Sequence, residues 1–156
     1  MSYSDDSGVS PARLRSMQII AGALIVGVVM ALVVLAIIRH TTASGPPPAV
    51  PIFTYVGVGL ALVGVIAHFI VPRHISSAQQ SADGHGLAIY QARMIIGMAL
   101  LEGPALYQGI AYFIEGQALA LGLGGLLLLG IILQFPTRRR VEQWLERQEE
   151  QGPPVG

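Results

Sequence analysis

Four long apolar runs, separated by short polar segments, limit the folds that this amino-acid sequence can adopt. The runs cover residues 17–38, 52–71, 87–114 and 118–135. An α-helix rises about 1.5 Å per residue, so roughly 20 residues cross the ~30 Å hydrocarbon core of a bilayer. Because each run is close to that length or longer, the pattern predicts four membrane-spanning helices.

The composition also indicates a membrane protein. Of the 156 residues, 53% are hydrophobic and 12% are charged, whereas charged residues make up about 25% of soluble domains. Basic and acidic residues number nine each, so the net charge gives no reason to expect nucleic acid as a partner. The chain has no cysteine, which excludes disulfides and thiolate metal sites.

Helix-breaking and turn-forming residues separate the runs. Gly45-Pro46-Pro47-Pro48 precedes the second run, Pro72-Arg73 follows it, and Pro136 follows the fourth. Ser76 to Gly86 predicts a loop, and Glu115-Gly116-Gln117 predicts a tight turn between antiparallel helices. We therefore expect an all-α membrane protein whose four transmembrane helices form an antiparallel bundle over residues 17–136.

The segment after the fourth run predicts a short interfacial helix over residues 137–151. Val141, Trp144 and Leu145 line one stripe of it, after the arginines at 138–140. Tryptophan favours the headgroup level and arginine attracts anionic lipid, so we expect this helix to lie on the membrane surface. The alternative is a docking helix for a cytoplasmic partner. Residues 1–16 and 152–156 are predicted to be disordered tails.

The arginine positions predict the orientation in the membrane. One side holds Arg13, Arg15, Arg73, Arg138, Arg139, Arg140 and Arg147, and the other holds Arg39. Positive charge is enriched in cytoplasmic loops, so we expect a multi-pass protein of the cell membrane with both termini in the cytoplasm. Arg93 lies near the start of the third run, from where its long side chain reaches the cytoplasmic headgroups.

Glu102 lies inside the third apolar run and is followed by Gly103 and Pro104. An ionisable group at bilayer depth costs at least ~2.5 kcal/mol on insertion scales, so it normally has a partner or a task. Pro104 lacks an N–H, which frees the carbonyl group of Leu100 beside it. Two interpretations stay open, in which Glu102 either hydrogen-bonds across helices as a packing group or carries protons or cations.

Four polar side chains are candidates for proton or ion binding, namely Gln91, Glu102, Tyr107 and His68. At about 3.6 residues per turn, Gln91 shares a helix face with Glu102, whereas Tyr107 lies on the opposite face. Histidine changes its charge near neutral pH, which makes His68 a candidate proton carrier. The histidine spacing matches no metal-ligand template, so the sequence predicts no metal and no cofactor.

Small residues recur along three of the runs and allow helices to approach closely. They are Gly27 and Ala31 in the first run, Gly57, Ala61 and Gly64 in the second, and Gly122 in the fourth. We favour packing between helices of one chain. A homo-oligomer or a second membrane protein as the packing partner remains open.

The stretch from Leu100 to Gly109, with the sequence LLEGPALYQG, resembles the ion-binding helix of rotary ATP synthase c subunits. Glu102 matches the membrane carboxylate of that family, and Tyr107 matches the tyrosine five positions further on. The resemblance covers about fifteen residues. It implies reversible protonation of Glu102.

No combination of Ser, His and Asp in the sequence has the pattern of a catalytic triad, since Asp5, Asp6 and Asp83 are all predicted outside the membrane. We therefore expect no enzymatic activity. The sequence favours a structural or accessory membrane component whose partner is the lipid bilayer. The alternative function is proton or cation translocation through Glu102.

Overall fold

The computed structural model describes residues 11–42, 48–79 and 86–150, which form five α-helices and no strand. The helices are α1 (Pro11–Thr42), α2 (Ile52–Gln79), α3 (Gly86–Glu115), α4 (Ala118–Leu133) and α5 (Arg138–Glu150). The predicted all-α class is thereby confirmed, as is the short turn between α3 and α4. The tails predicted at 1–10 and 152–156 lie outside the described residues.

Three of the described helices are long and apolar enough to cross a membrane. These segments are Pro11–Thr42, Ile52–Val71 and Ile89–Glu115. Large apolar side chains stay exposed along them, among them Val26, Leu62 and Val63, which is compatible with a location in lipid. α4 is also apolar but has only 16 residues, and α5 follows it at an angle of 68°.

Two helices are longer than the sequence predicts. α1 begins at Pro11. Residues 11–16, which the sequence predicts as the end of the disordered tail 1–16, are therefore helical. Proline is favoured in the first turn of a helix, because the N–H that it lacks would have no partner there. α2 continues through Pro72 to Gln79, so the loop predicted from Ser76 begins inside the helix. Pro72 lacks a backbone N–H, but the loss of this one hydrogen-bond donor does not end the helix.

α3 is the central helix, and α1, α2 and α4 all pack against it. The apolar core includes Met17 and Val28 of α1, Met98 of α3 and Ile131 of α4, all 0% exposed. Pairs of contacting residues fix the helix directions. α2 is antiparallel to α3, since Gly57 lies beside Gln108 and Gly64 beside Leu100. α4 is also antiparallel to α3, since Gly124 lies beside Ala105 and Gly130 beside Leu101. α1 is parallel to α3, since Leu32 lies beside Gly109 and Arg39 beside Gly116.

Gly64 of α2 lies directly on the carbonyl group that Pro104 leaves without its helical donor. A Cβ atom on Gly64 would lie 2.7 Å from Leu100 O and 2.8 Å from Pro104 Cγ. With no side chain in the way, the backbone of Gly64 lies against this acceptor. The close approach of α2 and α3 therefore depends on glycine at this position.

We expect Gly64→Ala to destabilise the protein by about 1–3 kcal/mol, because the added methyl group overpacks the contact with α3. The matched control is Gly59→Ala in the same helix, since a Cβ there meets no atom within 4 Å. Alanine is the better helix former by about 1 kcal/mol, so the control should be neutral or stabilising. Thermal unfolding in detergent, followed by circular dichroism, measures both, and equal midpoints would contradict the contact.

Candidate functional site

Glu102 lies in the middle of α3 with its side chain partly exposed. It makes no hydrogen bond or ion pair with any residue that the structure describes. Gly109, two turns further along the same face, packs on Leu32 and Leu35, so Glu102 lies on the side of α3 that faces α1. The free carbonyl group of Leu100 faces α2 instead and is not the partner of Glu102.

The structure does not bring the four candidate ion-binding residues together. His68 Nδ1 lies 3.1 Å from the carbonyl oxygen of Gly97, at the α2–α3 interface. Gln91 and Tyr107 are half-buried in α3, and neither makes a hydrogen bond within the described part of the chain. None of the four is hydrogen-bonded to another, so they do not form one site in this structure.

The small residues of α2 lie at its closest contact with α3. A Cβ atom on Gly57 would lie 2.9 Å from both Gln108 Nε2 and Gln108 Oε1. Ala61 is 8% exposed, and Gly64 lies on Leu100 as described above. These three residues share one face of α2, which therefore packs closely on α3, with backbone contact at Gly64 and the side chain of Gln108 against Gly57.

The small residues predicted in α1 and α4 are placed differently. Gly27 and Gly122 are exposed, and a Cβ on either would meet no atom within 4 Å. Neither packs between helices of this chain, so packing of these two glycines against a second copy or another membrane protein stays a prediction. Each residue turns the helix by about 100°, so the inward positions fall instead on Val28 and Gly124. Ala31 is half-buried.

Gln108 is a buried polar residue that the sequence does not single out. Its side chain is 0% exposed, and neither Nε2 nor Oε1 has a hydrogen-bond partner among the described residues. Gly57 and Gly124 lie against it from α2 and α4. A buried amide group without partners costs about 1–3 kcal/mol. In the sequence, only the two glycines that face Gln108 could indicate that it is buried. They indicate this only once it is known that α2 and α4 pack against α3.

Glu115, the last residue of α3, caps the N-terminus of α2. Its Oε1 accepts a hydrogen bond from Phe53 N at 2.7 Å, and its Oε2 accepts from Thr54 N at 2.8 Å and Thr54 Oγ1 at 2.7 Å. The first N–H groups of a helix lack partners inside it and carry partial positive charge, so a carboxylate suits them. Glu115 is only 3% exposed.

Arg39 of α1 makes the corresponding contact with the C-terminus of α3. Its Nη1 donates to the carbonyl oxygens of Phe113 at 3.4 Å and Ile114 at 3.3 Å. Gly116 follows with a φ of 69°, a conformation that glycine commonly supplies after a helix. This end, where α1 and α3 end and α2 and α4 begin, is called the Glu115 end. Here both charges lie against helix termini of opposite sign.

A cavity of about 370 Å³ lies at the other end of the protein, called here the Trp144 end. Residues from α2 to α5 form its wall. The polar residues are His68, Tyr90, Arg93, Gln134 and Arg140. The apolar residues are Phe69, Met94, Leu133 and Trp144. The cavity therefore combines two arginines with neutral donors and an apolar surface.

Among the described residues that line this cavity, none is a carboxylate that would balance its positive charge. Arg93 makes no hydrogen bond or ion pair within the described part of the chain. Arg140 donates through Nη1 to the carbonyl oxygen of Leu133, at the C-terminus of α4. The ion pair between Arg138 and Glu142 lies on α5 outside the cavity wall. The described lining of the cavity thus includes two arginines and no acidic counter-ion.

Contacts across the cavity position its polar groups. A Cβ atom on Gly97 would lie 2.9 Å from Gln134 Oε1 and 3.2 Å from His68 Nδ1, so both side chains lie against this glycine of α3. The rings of Tyr90 and Trp144 lie with their centroids 5.4 Å apart, which joins α3 to α5. The sequence did not reveal this cavity, because its residues come from four helices.

No group of three His, Asp or Glu side chains in the described ranges is close enough to hold a metal ion. Comparison of the chain with protein-family models, with curated proteins and with solved structures gives no match. A functional assignment therefore rests on the contacts at the Glu115 end and the Trp144 end of the protein.

We expect Glu115→Ala to lower the unfolding midpoint in detergent, because two N–H groups and the Thr54 hydroxyl lose their acceptor in a buried place. Glu115→Gln keeps one acceptor oxygen and should lower it less. The matched control is Glu142→Gln, which makes the same change in an exposed ion pair and should leave the midpoint nearly unchanged. A midpoint for Glu115→Ala equal to that of the control would contradict the capping role.

Proposed function

We propose that this protein is a non-enzymatic structural or accessory component of a cell membrane, with four membrane-spanning helices. The observation that carries the proposal is the Glu115 cap on α2. A buried carboxylate with all its described contacts on one helix terminus acts in holding helices together. Arg39 on the end of α3 and His68 on Gly97 act in the same way.

α4 is proposed as the fourth span. Its 16 residues include no charged side chain, and it packs along α3 in the antiparallel direction. At about 1.5 Å per residue it is roughly 24 Å long, somewhat less than the ~30 Å hydrocarbon core. A short span is accommodated by local thinning of the bilayer and by polar flanking residues, here Gln117 and Gln134.

The proposed orientation places both termini and the Trp144 end in the cytoplasm. Support comes from the arginines at 138–140, which are exposed at that end. The 68° angle between α4 and α5 supports the proposal that α5 is a surface helix, because a helix turned that far from a spanning helix lies close to the membrane plane. Val141 of α5 is 0% exposed, so this surface helix is anchored on the protein as well as on lipid.

Single-cysteine labelling tests the orientation, since the chain has no cysteine of its own. Ala49 precedes α2 at the Glu115 end and Thr137 precedes α5 at the Trp144 end, and both are exposed. We expect a membrane-impermeant maleimide to label Ala49→Cys in intact cells and Thr137→Cys only after permeabilisation. Labelling of Thr137→Cys alone in intact cells would reverse the proposed orientation.

The rival function, proton or cation passage through Glu102, is separated from the structural role by a flux assay. We expect purified protein in liposomes to give no proton flux above empty liposomes under an imposed pH gradient and membrane potential. The reason is that Glu102 has no hydrogen-bonded connection to other polar side chains among the described residues. Flux above that background that Glu102→Gln abolishes would overturn the structural role and support translocation.

A further inference from the structure

The geometry points to the cavity at the Trp144 end as a binding site for the phosphate group of an anionic phospholipid. Arg93 and Arg140 would hold the phosphate oxygens, and the apolar wall would hold the start of an acyl chain. The inference rests on the proposed membrane location, but not on the structural role or the orientation.

The charge of the cavity is the first argument. Arg93 has no partner within the described part of the chain, and Arg140 is engaged through Nη1 with a single carbonyl oxygen. Both arginines line one partly enclosed space, so an anion bound there would be attracted by two positive charges at once. Guanidinium groups bind phosphate through paired, charge-assisted hydrogen bonds, which makes phosphate a suitable anion here.

The neutral polar residues of the cavity are the second argument. The Tyr90 hydroxyl, the His68 ring and the Gln134 amide line the same space as the two arginines. The Tyr90 hydroxyl makes no hydrogen bond within the described part of the chain and offers a donor to an oxygen that the arginines leave unbound. Gln134 Nε2 already donates one hydrogen to the carbonyl oxygen of Gly130, and His68 Nδ1 lies on that of Gly97, so these two side chains mainly shape the polar wall. The volume of about 370 Å³ is at the small end of the range for ligand pockets, roughly 300–1,000 Å³. It suits a headgroup rather than a whole lipid.

The apolar wall is the third argument, and it distinguishes a lipid from free phosphate. Phe69, 59% exposed, lies on the outer surface of α2 and also lines the cavity. Val65 and Ile66, one turn away on α2, are exposed as well. An acyl chain leaving the cavity past Phe69 therefore meets an apolar surface, whereas an inorganic anion gains nothing from it. Basic pockets between spanning helices are a known type of lipid headgroup site.

Trp144 provides a direct assay, because it is the only tryptophan of the chain and lines the cavity. The full chain in an uncharged detergent would be titrated with phosphatidylglycerol carrying brominated acyl chains, which quench tryptophan fluorescence on contact. Phosphatidylcholine with the same chains is the comparison lipid. We expect phosphatidylglycerol to reach half-maximal quenching at a concentration on the order of tenfold lower than phosphatidylcholine does. A difference of this size is what charge-assisted hydrogen bonds to the phosphate group contribute.

Two arginine variants with the same charge change separate a built site from general attraction to anionic lipid. Arg93→Gln removes a cavity arginine that holds no other part of the protein, and should remove most of the preference for phosphatidylglycerol. Arg139→Gln is the matched control, since Arg139 is exposed and does not line the cavity. It should keep the preference. Circular dichroism verifies that each variant has the helix content of the wild type.

Three results would overturn the inference. The first is equal quenching of the wild-type protein by the two lipids, which needs no variant. The second is an equal loss of preference in Arg93→Gln and Arg139→Gln, which would show general electrostatic attraction. The third is displacement of brominated phosphatidylglycerol by an equal concentration of inorganic phosphate, which would show that free phosphate is the occupant. The proton-flux assay is independent of all three, so either proposal can fail without the other.

Discussion

The close contact between α2 and α3 is the constraint on which the rest of the structure depends. Gly64 lies on the α3 backbone and Gly57 on the side chain of Gln108. The contacts of Glu115 with the start of α2 and of His68 with the carbonyl oxygen of Gly97 hold the two helices in register. If α2 slid along α3, all of these polar contacts would be lost together. Since lipid offers no hydrogen bonds to replace them, one register is strongly favoured.

Pro104 and Gly64 act as one unit at the centre of this contact. Proline in the middle of a helix leaves a carbonyl group without a donor, which is costly where water is absent. The glycine lets α2 lie against that carbonyl group. The free carbonyl group of α3 is thereby covered by a close approach of its neighbour. Glu102, two residues before the proline, belongs to another side of the helix and takes no part.

The sequence predicted what depends on local pattern. Hydropathy predicted Ile52–Val71 as a span, and the glycine at 116 marked the turn after α3. Contacts between helices could not be predicted. Glu115 at the end of α3 can cap α2 only because the two helices are neighbours, and the sequence does not show which helices are neighbours. The same limit explains why Glu102 drew attention as the acid inside an apolar run, whereas Glu115, predicted as a turn residue, makes the structural contacts.

The two ends of the protein differ in whether their charged groups have partners within the described part of the chain. At the Glu115 end, an acid lies on a helix N-terminus and Arg39 on a helix C-terminus, so the helix dipoles stabilise both charges. At the Trp144 end, α4 offers one C-terminus, which Arg140 already occupies, and Arg93 has no carboxylate or helix terminus among the described residues. Among the described residues that line the cavity, Arg93 therefore has the charge that an anion from outside the chain would balance.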